Sequence, residues 1–260
     1  MQWCNAVKKK FGYVNIHLQE TGSDRNHINI HNKLKAAYYI STLLTLLSIN
    51  VSAQNIKFKN MHEQSRVVTI LQEELNRYPK SLVNEYLHDV VFEPLDGASG
   101  LAYLSYMIVI DPLHSESTIR HAIHHEFSSV LLNRIDPELT FATHMKFSRE
   151  FNELNGTFTY YSTAESGHAG SLTYEESKHF VGFEYARVGF ENDWNVTCEF
   201  LWTNAPIYLS DGTTESFWTF YENRKGLPVA KKIELALAFY QSLDQSLTKE
   251  FFMALPVCDF

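Results

Sequence analysis

The sequence predicts a helix-rich α+β domain with a small sheet lying beside one helix that carries the chemistry. Three observations lead there. Ser115 to Arg134, SESTIRHAIHHEFSSVLLNR, has apolar residues at helical spacing (Ile119, Ala122, Ile123, Phe127, Val130, Leu131). Leu101 to Asp111, LAYLSYMIVID, is β-branched and aromatic and is bounded by Gly100 and Pro112, so it reads as a strand. Most of what surrounds these two stretches has helical periodicity, with no internal repeat and no low-complexity linker, so residues 54–260 read as one domain.

The remaining elements follow in chain order. NIKFKN reads as a short strand, and Glu63 to Arg77 as a helix with Val67, Ile70, Leu71 and Leu75 on its apolar stripe. Pro79 ends that helix, Lys80 to Tyr86 adds a turn or two, and Val90 to Phe92 makes a strand before a Leu95-Asp96-Gly97 turn. Ser115 caps the histidine helix. Pro137 opens another helix that runs to about Leu154, where Asn155-Gly156 breaks it. Tyr160 to Thr173 is rich in Ser, Gly and Thr and reads as a loop carrying His168. Helices are then expected over Glu175 to Arg187, Phe190 to Trp202, Glu215 to Asn223 and Pro228 to Leu243.

Residues 1–53 read as a leader. Asn32 to Lys35 supplies a basic region, Ala36 to Val51 an apolar run of 16 residues, and Val51-Ser52-Ala53 a small-x-small cleavage site. The expectation is export to the periplasm or the extracellular space, with translation starting nearer Lys33. The alternative is a signal anchor. No stable membrane span is expected after cleavage.

The chain has 22 Lys and Arg against 30 Asp and Glu, a net charge of −8. Without residues 1–53 the counts are 16 and 28, a net of −12. A nucleic-acid partner needs a basic face and is not expected. Cys198 and Cys258 remain, either as a disulfide or as two buried thiols.

His121, His124, His125 and Glu126 share one helix. His125 and Glu126 fill the first two positions of H-E-x-x-H, in which two histidines one turn apart bind zinc and the glutamate acts on its water. The fifth position holds Ser129, a poor ligand. His121, four residues before His125, faces the same way and could supply a second imidazole. His124 points about 100° away. Without metal, such a cluster is a polar or pH-sensitive helix face. A third ligand would come from Glu191, Asp193 or Glu199 on the Phe190–Trp202 helix, where Glu191 and Glu199 lie two turns apart and face one way. His168, Tyr160 and Tyr161 are candidates to polarise a carbonyl, while His144 and His179 read as structural. No G-x-S-x-G elbow is present for a serine nucleophile.

STIRHAIHHEFSSVLL together with FEYARVGFENDWNVTCEFLW resembles the secreted zinc metallopeptidases of bacteria, in the gluzincin or lethal-factor-like group of zincins. There the H-E-x-x-H helix is followed by a helix of pattern Y-A-x4-E-D-F-A-E. Tyr185-Ala186, four residues, Glu191 and Asp193-Trp194 match that pattern apart from an inserted Asn192. The resemblance spans Leu101 to Trp202. It implies a zincin-like fold and a Zn2+ cofactor, with His125 as first ligand, Glu126 as general base and Glu191 as third ligand. Ser129 stands where the family has its second histidine.

Two functions are therefore expected to compete. One is an exported zinc-dependent metallopeptidase with an altered ligand set (His125, Glu191, and His121 or a water held by Ser129) acting on a peptide or protein. The other is a catalytically inactive protein of the same fold that binds a peptide or glycan outside the membrane. A weaker third is an envelope protein that uses its histidines as a pH switch.

Overall fold

The computed structural model describes residues 55–58, 64–103, 106–134, 137–160 and 170–258, all within one compact unit, Ile49–Phe260. The expected leader and the loop residues Tyr161 and His168 lie outside the described residues. The elements are β1 (Asn55–Phe58), α1 (Gln64–Leu75), α2 (Lys80–Tyr86), β2 (Asp89–Phe92), β3 (Gly100–Tyr103), β4 (Met107–Ile110), α3 (Glu116–Arg134) and α4 (Pro137–Asn155). They continue with α5 (Phe190–Thr203), a two-stranded ribbon of β5 (Ile207–Tyr208) and β6 (Thr214–Glu215), α6 (Phe217–Asn223), α7 (Pro228–Leu243) and α8 (Lys249–Met253). The architecture is α+β and helix-rich, as expected.

The main sheet has strand order β1-β2-β4-β3. β1, β2 and β4 run parallel, and β3 returns antiparallel along β4 with Gly100 opposite Ile110 and Tyr103 opposite Met107. Leu101 to Asp111 was expected as one strand and contains two, β3 and β4, paired antiparallel. Both halves are apolar enough for a strand, and their pairing satisfies more backbone groups than one extended run would. Met-Ile-Val-Ile, a continuous apolar run, takes the inner position, while Gly-Leu-Ala-Tyr takes the edge and leaves Leu101 and Tyr103 exposed.

α3 is the central helix, packed against α1, α5, α4, β3 and β4. Its cap is the expected one: Ser115 Oγ accepts from the Thr118 amide at 3.1 Å. Ile119, Ile123, Phe127, Val130, Leu131 and Leu132 are buried, and so are His121, His124, His125, Glu126, Ser128 and Ser129. A helix buried on every side must pair each polar group inside the protein, because an unpaired one costs about 1–3 kcal/mol. That demand builds the site.

α5 is the partner helix. Asn204 ends it in the left-handed region at φ 50°. Its side-chain Nδ2 donates to the carbonyls of Phe252 and Leu255, both at 2.8 Å, and its Oδ1 accepts from Trp218 Nε1 at 2.9 Å. The helix expected over Glu175 to Arg187 is instead two 3-10 turns, Glu176–Lys178 and Glu184–Arg187. Gly182 separates them at φ +76°, where a Cβ would come within 2.4 Å of the Phe200 ring. Cys198 and Cys258 are both buried free thiols. Arg77 donates from Nη2 to Cys258 Sγ at 2.9 Å.

Candidate functional site

α3 and α5 run antiparallel, and two polar stripes face each other across them. Residues i, i+4 and i+8 of α3 are His121, His125 and Ser129, and those of α5 are Glu191, Asn195 and Glu199. At one end Glu199 joins both imidazoles, with Oε1 2.7 Å from His121 Nδ1 and Oε2 3.0 Å from His125 Nδ1. At the other end Ser129 Oγ donates to Glu191 Oε1 at 2.9 Å and accepts from Asn195 Nδ2 at 2.7 Å.

Burial alone would raise the Glu199 carboxyl, but the hydrogen bonds and charges of His121 and His125 outweigh it and hold the pKa below the usual carboxylate range. An ionised Glu199 accepts from both Nδ1–H groups. Burial pushes the His125 pKa down, yet the bond to Glu199 and the charges of Glu126, Glu199 and Glu191 leave it raised. With Nδ1 committed to Glu199, Nε2 is the His125 nitrogen that can meet a ligand.

Glu126 lies on the sheet side. A Cβ added to Gly100 would stand 2.8 Å from Glu126 Cγ, so any other residue there would displace the Glu126 side chain. Glu126 is 8 % exposed. Its burial raises the carboxyl to about 7, with the charges of Glu191 and Glu199 pushing the same way, against His125 and the Ala102 amide. Tyr185 closes another side with its ring 5.8 Å from that of His125, and it remains 37 % exposed.

His124 faces away, as the helical angle requires. Its Nε2 donates to Glu74 Oε2 at 2.8 Å, and its Nδ1 accepts from the Tyr78 hydroxyl at 2.8 Å. Burial lowers its pKa, which fits a neutral ring holding its proton on Nε2. Glu74 is buried and also takes Arg77 at 2.6 Å and Arg120. Burial pushes the Glu74 carboxyl up, but His124, Arg77 and Arg120 bring it down to about 2. Asp193 belongs to a third network: its Oδ2 takes Lys232 Nζ at 2.5 Å and the Tyr160 hydroxyl at 2.8 Å.

Zinc needs three or four donors at about 2.0–2.3 Å from one centre. Among the described residues no group of three His, Cys, Asp or Glu side chains is arranged to hold a metal ion. The reason is visible in the pairing. His121 and His125 converge on Glu199, whereas Glu191 is turned to the Ser129 hydroxyl. The three expected ligands His125, Glu191 and His121 thus belong to two different hydrogen-bonded sets, and the donor set does not fit a zinc ion as it stands.

No protein-family model matches this sequence, and no curated protein matches it. One solved structure is similar. It is a putative zinc-binding metallo-peptidase from Bacteroides caccae ATCC 43185, with TM-score 0.48 and 8% identity over 84% of this chain and 92% of that one. The site is therefore read from this chain's own side chains.

Sequence reading found both helices and both polar stripes except Asn195. The signal for Asn195 was present, since it lies midway between Glu191 and Glu199 on the same face. Glu74, Tyr78 and Gly100 were missed, because their roles depend on contacts across more than 20 residues of chain that spacing does not reveal.

Proposed function

We propose that this chain is a peptide-binding protein on a metallopeptidase-type scaffold, working outside the cytoplasm, in which the zinc site has been replaced by hydrogen bonds. The observation that carries the reading is Ser129. It stands where a second ligand would, and it is bonded on both sides, to Glu191 and to Asn195. The hydroxyl is thus a built part of the helix interface. The peptide reading is supported by β3, the outer strand of its sheet, which offers backbone groups for a further strand beside Glu126. Leu101 and Tyr103 on that strand give an extended chain apolar contacts. The leader pattern at residues 32–53 supports export.

The test is zinc content and melting of the purified chain. Less than about 0.1 zinc per chain and an unchanged Tm on adding chelator are expected, because a bound ion would stabilise the fold by mass action. One tightly held zinc per chain overturns the reading.

A second reading, a metallopeptidase with an altered ligand set, is favoured by one observation. His125 is held through Nδ1 on a carboxylate, as metal-binding histidines are, and the neighbouring Glu126 is raised to about 7, close to the range a general base needs. It requires stoichiometric zinc and peptide cleavage that Glu126→Gln abolishes. Cleavage that survives this substitution removes Glu126 from the role.

A further inference from the structure

The Lys232–Asp193 pair has a third member, and the cluster lies apart from the histidine helix. Lys232 Nζ donates to Asp193 Oδ2 and to Asn155 Oδ1, each at 2.5 Å, and the Tyr160 hydroxyl donates to the same Asp193 oxygen at 2.8 Å. Asn155 is the last residue of α4, Asp193 lies in the first turn of α5 and Lys232 near the start of α7. Lys232 and Asp193 are fully buried, and Asn155 is 2 % exposed. The rings of Phe180 and Phe151, also fully buried, flank the amine with centroids 4.4 and 5.1 Å from Nζ. An amine, a carboxamide and a carboxyl group therefore meet in a place closed to bulk water.

Two atoms of this cluster break a general rule. Among the described residues, Asn155 Nδ2 and Asp193 Oδ1 are buried without a hydrogen-bond partner. Folded proteins avoid such orphans, because a buried polar group that gives up water needs a replacement. Here the orphan donor is the nitrogen that an attacking amine would expel from the carboxamide. The orphan acceptor belongs to the acid that could carry a proton to it. Burial lowers the Lys232 pKa, against the charge and the hydrogen bond of Asp193. A lysine amine without its proton is a nucleophile, and this one is already held at the carbonyl it would attack. Such fixed geometry removes the entropic barrier to joining the two groups.

We propose that Lys232 and Asn155 become joined by an intramolecular isopeptide bond, made by the folded chain itself with Asp193 carrying the proton. The Lys232 ammonium first passes one proton to Asp193. Nζ then attacks Asn155 Cγ, and the Nζ–Cγ bond forms. Asp193 gives its proton to Nδ2 through one oxygen and takes one from Nζ through the other. The Cγ–Nδ2 bond breaks and ammonia leaves. Nothing is oxidised or reduced, and Asp193 ends as the neutral acid, the form that burial favours. The product ties the end of α4 to α7 across 77 residues of chain that include the whole of α5. It would act as a disulfide does, by restricting the unfolded chain, in a protein whose Cys198 and Cys258 are both free. Reducing agents would not open it.

The intact mass of the purified full chain, followed by tryptic mapping, tests this. The chain is expected to be lighter than its sequence by one ammonia, with Asn155 and Lys232 recovered in one cross-linked peptide pair and no cleavage after Lys232. Asp193→Asn, which keeps the shape but cannot carry the proton, is expected to give the two peptides separately. Separate peptides of full mass from the parent chain overturn the proposal. So does a succinimide at Asn155-Gly156, which also loses ammonia but leaves Lys232 free. A link from Lys232 to Asp193 with loss of water overturns the choice of Asn155. A cross-link that persists in folded Asp193→Asn overturns the role of Asp193. The parent's peptide map decides the bond even where that variant does not fold.

Discussion

Ser129 on α3 donates its hydroxyl proton to Glu191 on α5 across 2.9 Å, at the position where a zinc site of this type would place its second imidazole. The same oxygen accepts from Asn195, which is 2 % exposed. Ser129→Ala therefore removes two bonds and leaves a buried amide unpaired. The expected loss is about 2 kcal/mol, or a Tm lower by roughly 4–8 °C, measured by calorimetry. An unchanged melting point would mean that water replaces the hydroxyl.

Ser129→His restores an imidazole one turn after His125 and facing Glu191. Measurable zinc uptake approaching one ion per chain is expected, together with a chelator-sensitive Tm that the parent lacks. If the variant folds and still takes up no zinc, α3 and α5 are spaced for hydrogen bonds alone.

The Glu74 network sets the response to acid. Its carboxyl is down at about 2, from an ordinary value of 4.5. A depressed acid stabilises the fold above its unfolded pKa and stops doing so as pH falls through the folded one. Unfolding free energy is thus expected to drop between about pH 4.5 and 2 by on the order of 3 kcal/mol through this group. Glu74→Gln, followed by urea unfolding at several pH values, should be less stable near neutrality and lose less on acidification. A parallel pH profile in the variant would assign acid sensitivity elsewhere.

The fold was legible where the sequence kept one period for several turns. Val67, Ile70, Leu71 and Leu75 are buried on α1 as their spacing requires. Pro228 opens α7 at its first position. The reading failed where a local signal met a tertiary one. Glu175 to Arg187 has helical composition, but Gly182 must let the Phe200 ring in. In the site, the face shared by His121 and His125 was readable, and so was the common side of Glu191 and Glu199. Which carboxylate meets which imidazole was not readable, because it depends on the antiparallel register of α3 against α5, and no residue within either helix encodes that register.

Lys232 and Asp193 are both fully buried and paired at 2.5 Å. Lys232→Met leaves a carboxylate without its cation, and a loss of about 3–5 kcal/mol is expected. Adding Asp193→Asn should recover part of that loss, since the uncompensated charge is then gone. Chemical denaturation of both variants and the double variant measures the coupling; simple additivity would show that the two groups act independently.

Trp202, near the end of α5, lies wholly inside the protein against Tyr78 from the turn between α1 and α2, with ring centroids 3.7 Å apart, and is stacked parallel to His124 from α3 at 6.1 Å. One indole of α5 therefore touches both α3 and the turn that follows α1. With the other three tryptophans replaced by phenylalanine, its fluorescence reports that packing: emission should be blue-shifted while the contacts hold and move to the red once they separate. Unfolding can then be followed at that contact without attaching a label.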